Sequence, residues 1–262
     1  MKDNKHNKNN KTQISGSVIN ITNQASFRLT ESFKALRTNI MFSLHKKEGV
    51  KCRKILFTSS NPGEGKTTTT VNLAATIAQT EAKVLLIDAD MRAPTVHKYF
   101  GIESRCGLSN FLSNMNALEE CIQPVKNIPN LSVIPSGLQP PNPSELLAGN
   151  AIDKLFEQAE TEFDYIIVDT PPINVVTDAL PLVNKIDGVA FVVAQGKSTY
   201  PSVTRAIKAL KFANANIIGV VMNRVESARP LYGKYGANHY KYKYKYKTNL
   251  AEEMPYGTTE ED

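Results

Sequence analysis

Cysteine is scarce in this sequence, and long apolar runs are missing from it. Three cysteines occur in 262 residues and none forms a Cys-x-x-Cys pair, so a disulfide framework and a structural zinc site are excluded. We interpret Cys52, Cys106 and Cys121 as reduced thiols. No run reaches the roughly 18 apolar residues that a membrane span needs. The first eleven residues also lack the apolar stretch of a signal peptide, and we therefore expect a cytoplasmic protein.

Positive charge is in excess, but the excess lies at the ends of the chain. The formal net charge is +6, while residues 1–12 carry +3, residues 229–247 carry +6 and residues 248–262 carry −5. Only +2 remains for the body of the chain, so a basic patch on a folded face, as nucleic-acid binding requires, is not indicated. We expect no nucleic-acid partner. Basic ends of this kind can also lie against anionic lipid or another protein.

Composition along the chain predicts one domain with a tail at each end. Apolar residues make up 41% of the sequence, which excludes a wholly disordered protein. Residues 1–25 are polar and lysine-rich, and we expect a flexible basic arm there. Aliphatic residues nearly vanish after Val225, which predicts a disordered, tyrosine-rich tail over 226–262. The predicted domain is therefore 26–225.

Strand and helix patterns alternate through this domain. An amphipathic helix over about 30–45 is predicted from a suitable N-cap, Thr30, and from apolar residues at helical spacing, namely Phe33, Leu36, Ile40 and Leu44. Short β-branched runs predict strands at 55–58, 84–87, 131–134, 165–168, 189–193 and 217–222. Further helices are predicted at 68–79, 144–161 and 200–213. Fully apolar strands separated by helices indicate an α/β fold with a doubly wound, mostly parallel sheet.

A glycine-rich turn separates the first predicted strand from the helix that follows it. Its sequence, Asn-Pro-Gly-Glu-Gly-Lys-Thr, has the context that a phosphate-binding loop requires. Gly63 and Gly65 allow the backbone to approach an anion at the helix N-terminus. Lys66 could reach the β- and γ-phosphates, and the Thr67 hydroxyl could ligate Mg²⁺. The strict pattern has glycine where this chain has Ser60, and the alternative is a helix-entry turn that contains Gly-Lys-Thr by chance.

Carboxylates follow two of the buried strands. Asp88 and Asp90 end the run Val-Leu-Leu-Ile-Asp-Ala-Asp, and Asp169 ends the run Tyr-Ile-Ile-Val-Asp. Because ligands of parallel α/β sheets bind beyond the carboxyl ends of the strands, these acids should converge on the mouth of the phosphate loop. Asp169 suits a water-mediated Mg²⁺ ligand, since Mg²⁺ keeps several waters. The alternative is that these acids cap the helices that follow them.

The glycine-rich loop and the strands Leu-Leu-Ile-Asp-Ala-Asp-Met-Arg and Ile-Ile-Val-Asp-Thr-Pro-Pro together resemble the bacterial protein-tyrosine kinases of capsule and exopolysaccharide synthesis. Pro-Ser-Gly at 135–137, Pro-Pro-Asn-Pro-Ser-Glu-Leu-Leu at 140–147 and the tyrosine-rich C-terminus resemble that family too. The resemblance covers roughly 26–246. It implies a P-loop NTPase fold and a kinase that uses ATP and Mg²⁺ to phosphorylate its own tyrosines.

Partition and cell-division-site ATPases are similar in the same loop and strands, and they would act as nucleotide-dependent switches. They usually carry a signature lysine in the phosphate loop, where this chain has Asn61. They also lack a tyrosine cluster. Both differences favour the kinase.

The resemblance implies a role for each site residue. The nucleotide would be bound by Gly63, Glu64, Gly65, Lys66, Thr67 and Thr68. Mg²⁺ and its waters would be organised by Thr67, Asp90 and Asp169. Asp88 would accept or orient the proton of the incoming tyrosine hydroxyl, with Lys66, Asp90 and Arg92 completing the catalytic set. Arg92 would contact the phosphates or a neighbouring subunit, and a surface ion pair is its alternative.

The last predicted strand ends in Met-Asn-Arg, beside the expected position of the base. In related P-loop ATPases the residues that follow this strand contact the adenine. Asn223 can offer both a donor and an acceptor to a base edge, and Arg224 could stack on the base. A turn at the end of the strand is the alternative for Asn223.

A charge pattern on the first predicted helix resembles the oligomerisation motif of the family. Glu31, Lys34 and Arg37 recur at three-residue steps, so their side chains lie on adjoining ridges of one helix. The family has arginine at the middle position, and Lys34 cannot form the bidentate fork that arginine forms. An ordinary solvated face with helical salt bridges is the alternative.

Tyrosines dominate the C-terminal tail, where Tyr-Lys repeats four times over 240–247. A strand with one aromatic face, stacking on single-stranded nucleic acid and membrane-surface binding are alternatives. With a kinase core present we interpret these residues as phosphoacceptors, namely Tyr232, Tyr235, Tyr240, Tyr242, Tyr244 and Tyr246. Each phosphate adds about −1.5 to −2 charges at pH 7, so two or three would reverse the sign of residues 229–247.

The sequence therefore predicts an ATP- and Mg²⁺-dependent tyrosine autokinase that regulates capsular or exopolysaccharide synthesis. Resemblance to the family implies a homo-oligomer, with a ring suspected. It also implies a membrane-spanning adaptor that recruits the kinase to the inner face of the membrane and completes the active state. A protein-tyrosine phosphatase and polysaccharide-synthesis enzymes are further expected partners.

Overall fold

The computed structural model describes residues 27–44 and 51–225, which include a seven-stranded sheet with helices on both faces. The strands are β1 (Arg53–Ser59), β2 (Val84–Asp88), β3 (Gln123–Pro124), β4 (Leu131–Ile134), β5 (Tyr165–Asp169), β6 (Gly188–Ala194) and β7 (Ile217–Asn223). They lie in the order β3-β4-β2-β5-β1-β6-β7. Every pair is parallel except β3 with β4. The predicted doubly wound, mostly parallel α/β fold is confirmed.

The central strands are buried on both faces, which is why most of their residues are apolar. Every residue of β2, β5 and β6 is buried, whereas the edge strand β7 is only partly covered. Each Å² of buried apolar surface contributes about 25 cal/mol to folding, so these strands contribute strongly to the stability of the domain. The six predicted strands are all present, each within two residues of its predicted ends.

Helices cover the two faces of the sheet unequally. The helices are α1 (Phe27–Ser43), α2 (Lys66–Ala78), α3 (Val96–Phe100), α4 (Leu108–Leu112), α5 (Leu118–Cys121), α6 (Pro143–Ala148), α7 (Ala151–Ala159) and α8 (Tyr200–Phe212). A 3₁₀ helix spans Leu180–Lys185. Side chains of α1, α2 and α3 share one apolar cluster, and those of α4 to α8 share the other. No helix in the described ranges is long and apolar enough to cross a bilayer.

Two helix predictions are wrong in their bounds. The helix predicted at 144–161 is two helices, because Gly149 takes an extended conformation (φ −70°, ψ 165°) between α6 and α7. Glycine loses more conformational freedom than other residues in a helix, so it is a natural breaking point. The first helix starts at Phe27, and Thr30 lies inside it instead of capping it.

Helix α1 packs against α2 through its predicted apolar side. Ile40 and Leu44 are buried in the cluster with α2, and Leu36 is half-buried against it. The predicted arm over 1–25 and tail over 226–262 lie outside the described residues, as do the six candidate phosphoacceptor tyrosines.

The strand order brings three strand ends together. The chain runs from β1 through α2 to β2, continues to β4, and then returns to place β5 between β2 and β1. Asp88 on β2 is thereby the register partner of Asp169 on β5, and Asp169 is also the partner of Phe57 on β1. The phosphate loop follows β1 directly, so the two acids and the loop lie at one edge of the sheet.

Candidate active site

The turn between β1 and α2 has the backbone of a loop that approaches an anion closely. Gly63 and Gly65 both have positive φ angles, of 73° and 89°. A Cβ on Gly65 would lie 1.7 Å from the Asn223 Nδ2, and a Cβ on Gly63 would lie 2.5 Å from the Lys197 Nζ. The positive φ disfavours any side chain at both positions, and at Gly65 the Asn223 amide also leaves no space for one.

Ser60 replaces the glycine of the strict phosphate-loop pattern without strain. It is absent from the residues with positive φ, and its buried hydroxyl donates to the Glu64 Oε1 at 2.7 Å. Glu64 is 1% exposed and also accepts from the Asn61 N–H at 3.0 Å and from the Ser198 hydroxyl at 2.6 Å. One buried carboxylate thus fixes both ends of the loop and ties it to the turn after β6.

Asn61 stands where the partition ATPases carry their signature lysine, and here it is turned towards α8. Its Nδ2 donates to the Ser202 hydroxyl at 2.6 Å, and the Asn174 Nδ2 donates to the same hydroxyl at 2.9 Å. Asn61 therefore serves to anchor the loop in this subunit.

Lys66, the first residue of α2, is paired with the acids. Its Nζ donates to the Asp169 Oδ1 at 2.8 Å and lies 3.8 Å from the Asp90 Oδ2. Thr67 donates its hydroxyl to the Asp169 Oδ2 at 2.6 Å, and Thr70 donates to Oδ1 at 3.2 Å. Asp169 thus accepts three side-chain donors of α2, and the predicted convergence of loop and acid is present.

Asp88 and Asp90 lie beside this pair. Burial, reinforced by the charge of Asp169, raises the pKa of Asp88 to about 8 against the opposing pull of Lys66. Asp88 also accepts the backbone N–H groups of Asp90, Thr95 and Val96 at 3.1–3.2 Å. It therefore caps the start of α3, which was the structural alternative, while remaining beside the candidate metal ligands.

Asp90 is 8% exposed, and burial raises its pKa although Lys66 and the Ala93 N–H oppose the shift.

The oxygen atoms at this site fit Mg²⁺ better than a metal ion whose ligands must all come from the protein. Thr67 and Asp169 offer hard oxygens side by side, and Asp90 adds a third across Lys66. No group of three or more His, Cys, Asp or Glu side chains arranged for a metal exists within 27–44 and 51–225. Mg²⁺ is the cation that takes one or two carboxylates and keeps its waters.

Arg92 forms an ion pair with Asp178. Its Nε and Nη2 donate to Asp178 at 2.6 and 3.1 Å, and the Ser144 hydroxyl donates to the same carboxylate. Burial would raise the pKa of Asp178, but the hydrogen bonds from Arg92 and Ser144 outweigh it and hold that pKa below its usual range. The ion-pair alternative for Arg92 is therefore what this subunit contains, and a contact of Arg92 with the phosphates or with a neighbouring subunit stays a prediction.

Asn223 and Arg224 lie against the phosphate loop. The Asn223 Nδ2 donates to the Glu64 carbonyl at 3.1 Å, and the Arg224 Nη2 donates to the Gly63 carbonyl at 2.9 Å. Both residues therefore border the phosphate loop. In this arrangement they brace the loop backbone, and their contact with a base stays a prediction.

The three candidate oligomerisation residues separate into two groups. Lys34 and Glu31 form an exposed ion pair of 2.8 Å within α1, as in the solvated-face alternative. Arg37 is half-buried and donates to the Thr76 carbonyl of α2 at 3.1 Å. Arg37 thus helps to hold α1 in its own subunit, whatever it does between subunits.

Several residues that build the site carry no sequence signal. Asp178 and Ser198 lie in loops, and Lys197 follows a glycine with a positive φ of 73°. Each acts on a partner far away in the chain: Asp178 on Arg92, Ser198 on Glu64 and Lys197 beside Gly63. Only the folded sheet brings such partners together.

Glu64→Ala should lower both the stability and the nucleotide affinity of the protein. The substitution removes three hydrogen bonds to a buried carboxylate, and we expect a loss of about 2–4 kcal/mol of unfolding free energy. That corresponds to a melting temperature lower by about 5–15 °C. Glu119→Ala, at an exposed position of α5, is the matched control. Equal melting curves for the two variants would show that the loop does not depend on Glu64.

The comparisons with known proteins agree with this geometry. The AAA domain family matches residues 52–189, which include the loop and both acidic strands. The tyrosine-protein kinase YwqD of Bacillus subtilis is 38% identical over 230 residues, which are 87% of this chain and 95% of that protein. The kinase domain of the Escherichia coli tyrosine kinase ETK superposes with a TM-score of 0.72 at 34% identity, over 80% of this chain and 81% of that one.

The partition and cell-division ATPases are more distant. A septum site-determining protein from Pyrococcus horikoshii OT3, complexed with Mg-ADP, has a TM-score of 0.56 at 22% identity, over 67% of this chain and 72% of that one. A likeness at that level shows the shared fold alone. By sequence identity and coverage, the chain belongs to the family of bacterial tyrosine-protein kinases.

Proposed function

We propose that this protein transfers the γ-phosphoryl group of ATP to tyrosine hydroxyls, chiefly those of its own tail (residues 226–262), and thereby regulates capsular or exopolysaccharide synthesis. The observation that carries the proposal is the cluster at the carboxyl ends of β1, β2 and β5, where Lys66 and Thr67 meet Asp169 and lie beside Asp88 and Asp90. Two relatives that are named tyrosine-protein kinases, and that match this chain over most of their own length, support this reaction.

Each residue of the cluster has a task in that reaction. The backbone N–H groups of the loop, in which Gly63 and Gly65 have positive φ angles, would bind the phosphates at the N-terminus of α2. Bound Mg²⁺ would neutralise negative charge on the phosphate oxygens. Thr67 and Asp169 would hold the cation, and Asp90 would orient its waters. Lys66 would then exchange its contact with Asp169 for the phosphates.

Asp88 is the proposed acceptor of the phenolic proton. The tyrosine oxygen attacks the γ-phosphorus, the bond to the oxygen of ADP breaks, and the proton passes to the Asp88 carboxylate. A phenol has a pKa near 10, so an ordinary carboxylate is a weak base for it. The raised pKa of Asp88 brings it closer to the pKa of the phenol and makes the carboxylate a stronger base. The positive charge of Lys66 acts in the opposite direction and favours the ionised form of Asp88.

One experiment separates the kinase from a nucleotide-dependent switch. The full chain is incubated with Mg²⁺ and ATP labelled at the γ position, and the tail is then analysed for phosphotyrosine by mass spectrometry. The kinase gives phosphotyrosine in the tail, whereas a switch gives ADP and unmodified tyrosine. ADP formation without phosphotyrosine at any ATP concentration would contradict the proposed function.

We infer a homo-oligomer, with a ring as the expected form, and a membrane-spanning adaptor that brings the kinase to the inner face of the membrane. The relatives named tyrosine-protein kinase CapB and CpsD support the kinase activity on which this inference rests. A phosphatase that resets the tail and polysaccharide-synthesis enzymes complete the proposed set of partners.

Removing the exposed charges of α1 should dissociate the oligomer. Because Arg37 also contacts α2, the sharper variant is Glu31→Ala with Lys34→Ala, which leaves α1 anchored in its own subunit. We expect the mass by light scattering to fall from that of an oligomer to that of the 28.9 kDa chain. Thr38→Ala with Asn39→Ala, at exposed positions of the same helix, should keep the oligomer. An unchanged mass for the charge variant would leave only the solvated-face interpretation.

A further inference from the structure

Two thiols face each other between the bend before α4 and the end of α5. The Cys106 and Cys121 Sγ atoms are 3.1 Å apart, although fourteen residues separate the two cysteines in the chain. Cys106 lies in the bend before α4, and Cys121 is the last residue of α5. A disulfide bond needs a sulfur–sulfur distance of about 2.0 Å, so the remaining approach is about 1 Å.

The surrounding structure holds this pair together. Helices α4 and α5 pack on each other, and the Gln123 Nε2 donates to the Glu103 carbonyl at 3.0 Å, which ties the two flanking segments. The bend at Cys106 is not part of a helix or strand, so small backbone adjustments there break no ladder of hydrogen bonds. The third cysteine, Cys52, is buried just before β1. Among the described residues, the sulfur–sulfur contact joins Cys106 and Cys121 and does not include Cys52.

The two thiols differ in access, which sets the order of reaction. Cys106 is half-buried and follows the exposed Arg105, so a small molecule can reach it. Cys121 is 0% exposed, and burial followed by its contact with Cys106 raises its pKa to about 12. Cys121 is therefore shielded from reagents in solution and can react only with a sulfur already beside it.

We propose that Cys106 and Cys121 form a reversible intramolecular disulfide by exchange with a low-molecular-weight disulfide. The Cys106 thiolate attacks one sulfur of that disulfide, and the first small thiolate leaves. The Cys121 thiolate then attacks the Cys106 sulfur and displaces the second small thiolate. The two protein sulfurs lose two electrons, the small disulfide gains them, and the two protein protons pass to the released thiolates. A small thiol in excess reverses both steps.

The bridge would fasten a segment that supports the sheet. The N–H groups of Leu108 and Ser109, at the start of α4, donate to the Pro135 and Ser136 carbonyls beyond β4 at 2.8 and 2.9 Å. A disulfide would join Cys106, two residues before Leu108, to Cys121 at the end of α5. It would restrict the opening of the whole 106–121 segment. The thiol pair thus provides a redox-dependent brace outside the catalytic cluster.

The test uses the full chain and oxidised glutathione as the probe. Trypsin cuts after Arg105 and Lys126, and no lysine or arginine lies between them, so both cysteines fall in one peptide. After oxidation we expect this peptide to be lighter by two hydrogens and to resist alkylation until it is reduced. A second cut with chymotrypsin after Phe111 should leave the halves joined. Persistent glutathionylation of both cysteines, or a bridge between two chains, would overturn the proposal.

Variants then check the order of the two steps. Cys121→Ser should retain glutathione on Cys106, because the second attack is lost. Cys106→Ser should leave Cys121 unmodified over the same time, and Cys52→Ser should form the bridge as the parent does. Modification of Cys121 at an equal rate in the Cys106→Ser protein would contradict the shielded role of that thiol.

Thermal unfolding gives a second readout of the same bridge. Closing a loop of this length is expected to raise the melting temperature by about 5–10 °C in the oxidised parent, and a reducing agent should reverse the rise. The Cys121→Ser protein should show no such shift. A bridged parent that melts no higher than its reduced form would show that the bond does not fit the native arrangement.

Discussion

Lys66→Met protein should carry no phosphotyrosine after incubation with ATP and Mg²⁺. Loss of one preorganised electrostatic contact to a reacting group typically lowers the turnover number by about 10²–10³-fold. Here the contact is the lysine that begins α2 at the mouth of the loop. We expect tail phosphorylation to fall at least about 10²-fold, measured with antibody and by mass spectrometry. Lys211→Met, at an exposed position of α8, is the matched control.

The same substitution should also destabilise the protein without nucleotide. Lys66 is 6% exposed and neutralises Asp169, which is 0% exposed, with Asp90 close by. Removing one partner of a buried ion pair costs about 3–5 kcal/mol, because the other charge is left uncompensated. Unfolding of Lys66→Met protein would also abolish activity, so the experiment has to distinguish unfolding from the loss of the contact between Lys66 and the phosphates.

A second substitution separates them. Lys66→Met combined with Asp169→Asn removes both charges, so we expect most of the lost melting temperature to return while phosphorylation stays absent. Lys66→Arg keeps the cation and should keep the stability of the parent. Phosphotyrosine formed at the parental rate by well-folded Lys66→Met protein would exclude Lys66 from the mechanism.

The sheet could be predicted because each buried strand is visible in the sequence as a short apolar run. A buried parallel strand is a short continuous apolar run, as in Val84–Asp88 and Tyr165–Asp169, where only the last residue is charged. The helices α3, α4 and α5 have only four or five residues each. Segments of that length contain barely one turn and show no helical period, which is why the sequence did not predict them.

The site divides in the same way, by how far apart in the chain its partners lie. The loop is local, so Gly63, Lys66 and Thr67 could be assigned from one heptapeptide. The pairing of Arg92 with Asp178 spans 86 residues, and that of Glu64 with Ser198 spans 134. Such pairs depend on the register of strands and on loop paths, and no pattern in a single sequence encodes them.

The active site of one chain should phosphorylate tyrosines in the tail of another chain. The test mixes Lys66→Met protein that keeps residues 229–262 with active protein that lacks them, so that only transfer between chains can label the inactive partner. We expect label on the inactive chain and a rate that falls on dilution. A Lys66→Met acceptor with phenylalanine at the six candidate tail positions is the control, and it should stay unlabelled.

Reach does not decide between transfer within a chain and transfer between chains. The described chain ends at Val225, two residues after Asn223, which contacts the phosphate loop. Tyr240 follows Val225 by 15 residues, which span at most about 50 Å when extended. Asp169 lies three strands from β7, a separation of about 14 Å at 4.8 Å per strand. Either route is therefore within the length of the tail.

Direction favours the route between chains. Strand β7 is an edge strand and ends beside the loop, so a tail that serves its own site has to turn back towards β5, past β6 and β1. We propose that the tail enters the site of a neighbouring chain instead, where Asp88, Asp90 and Asp169 would attract its basic residues. Phosphates added to the tail would face those same acids, and the repulsion should release it and loosen the oligomer. Absence of label on the inactive chain, while the active protein still phosphorylates an added tyrosine peptide, would exclude transfer between chains.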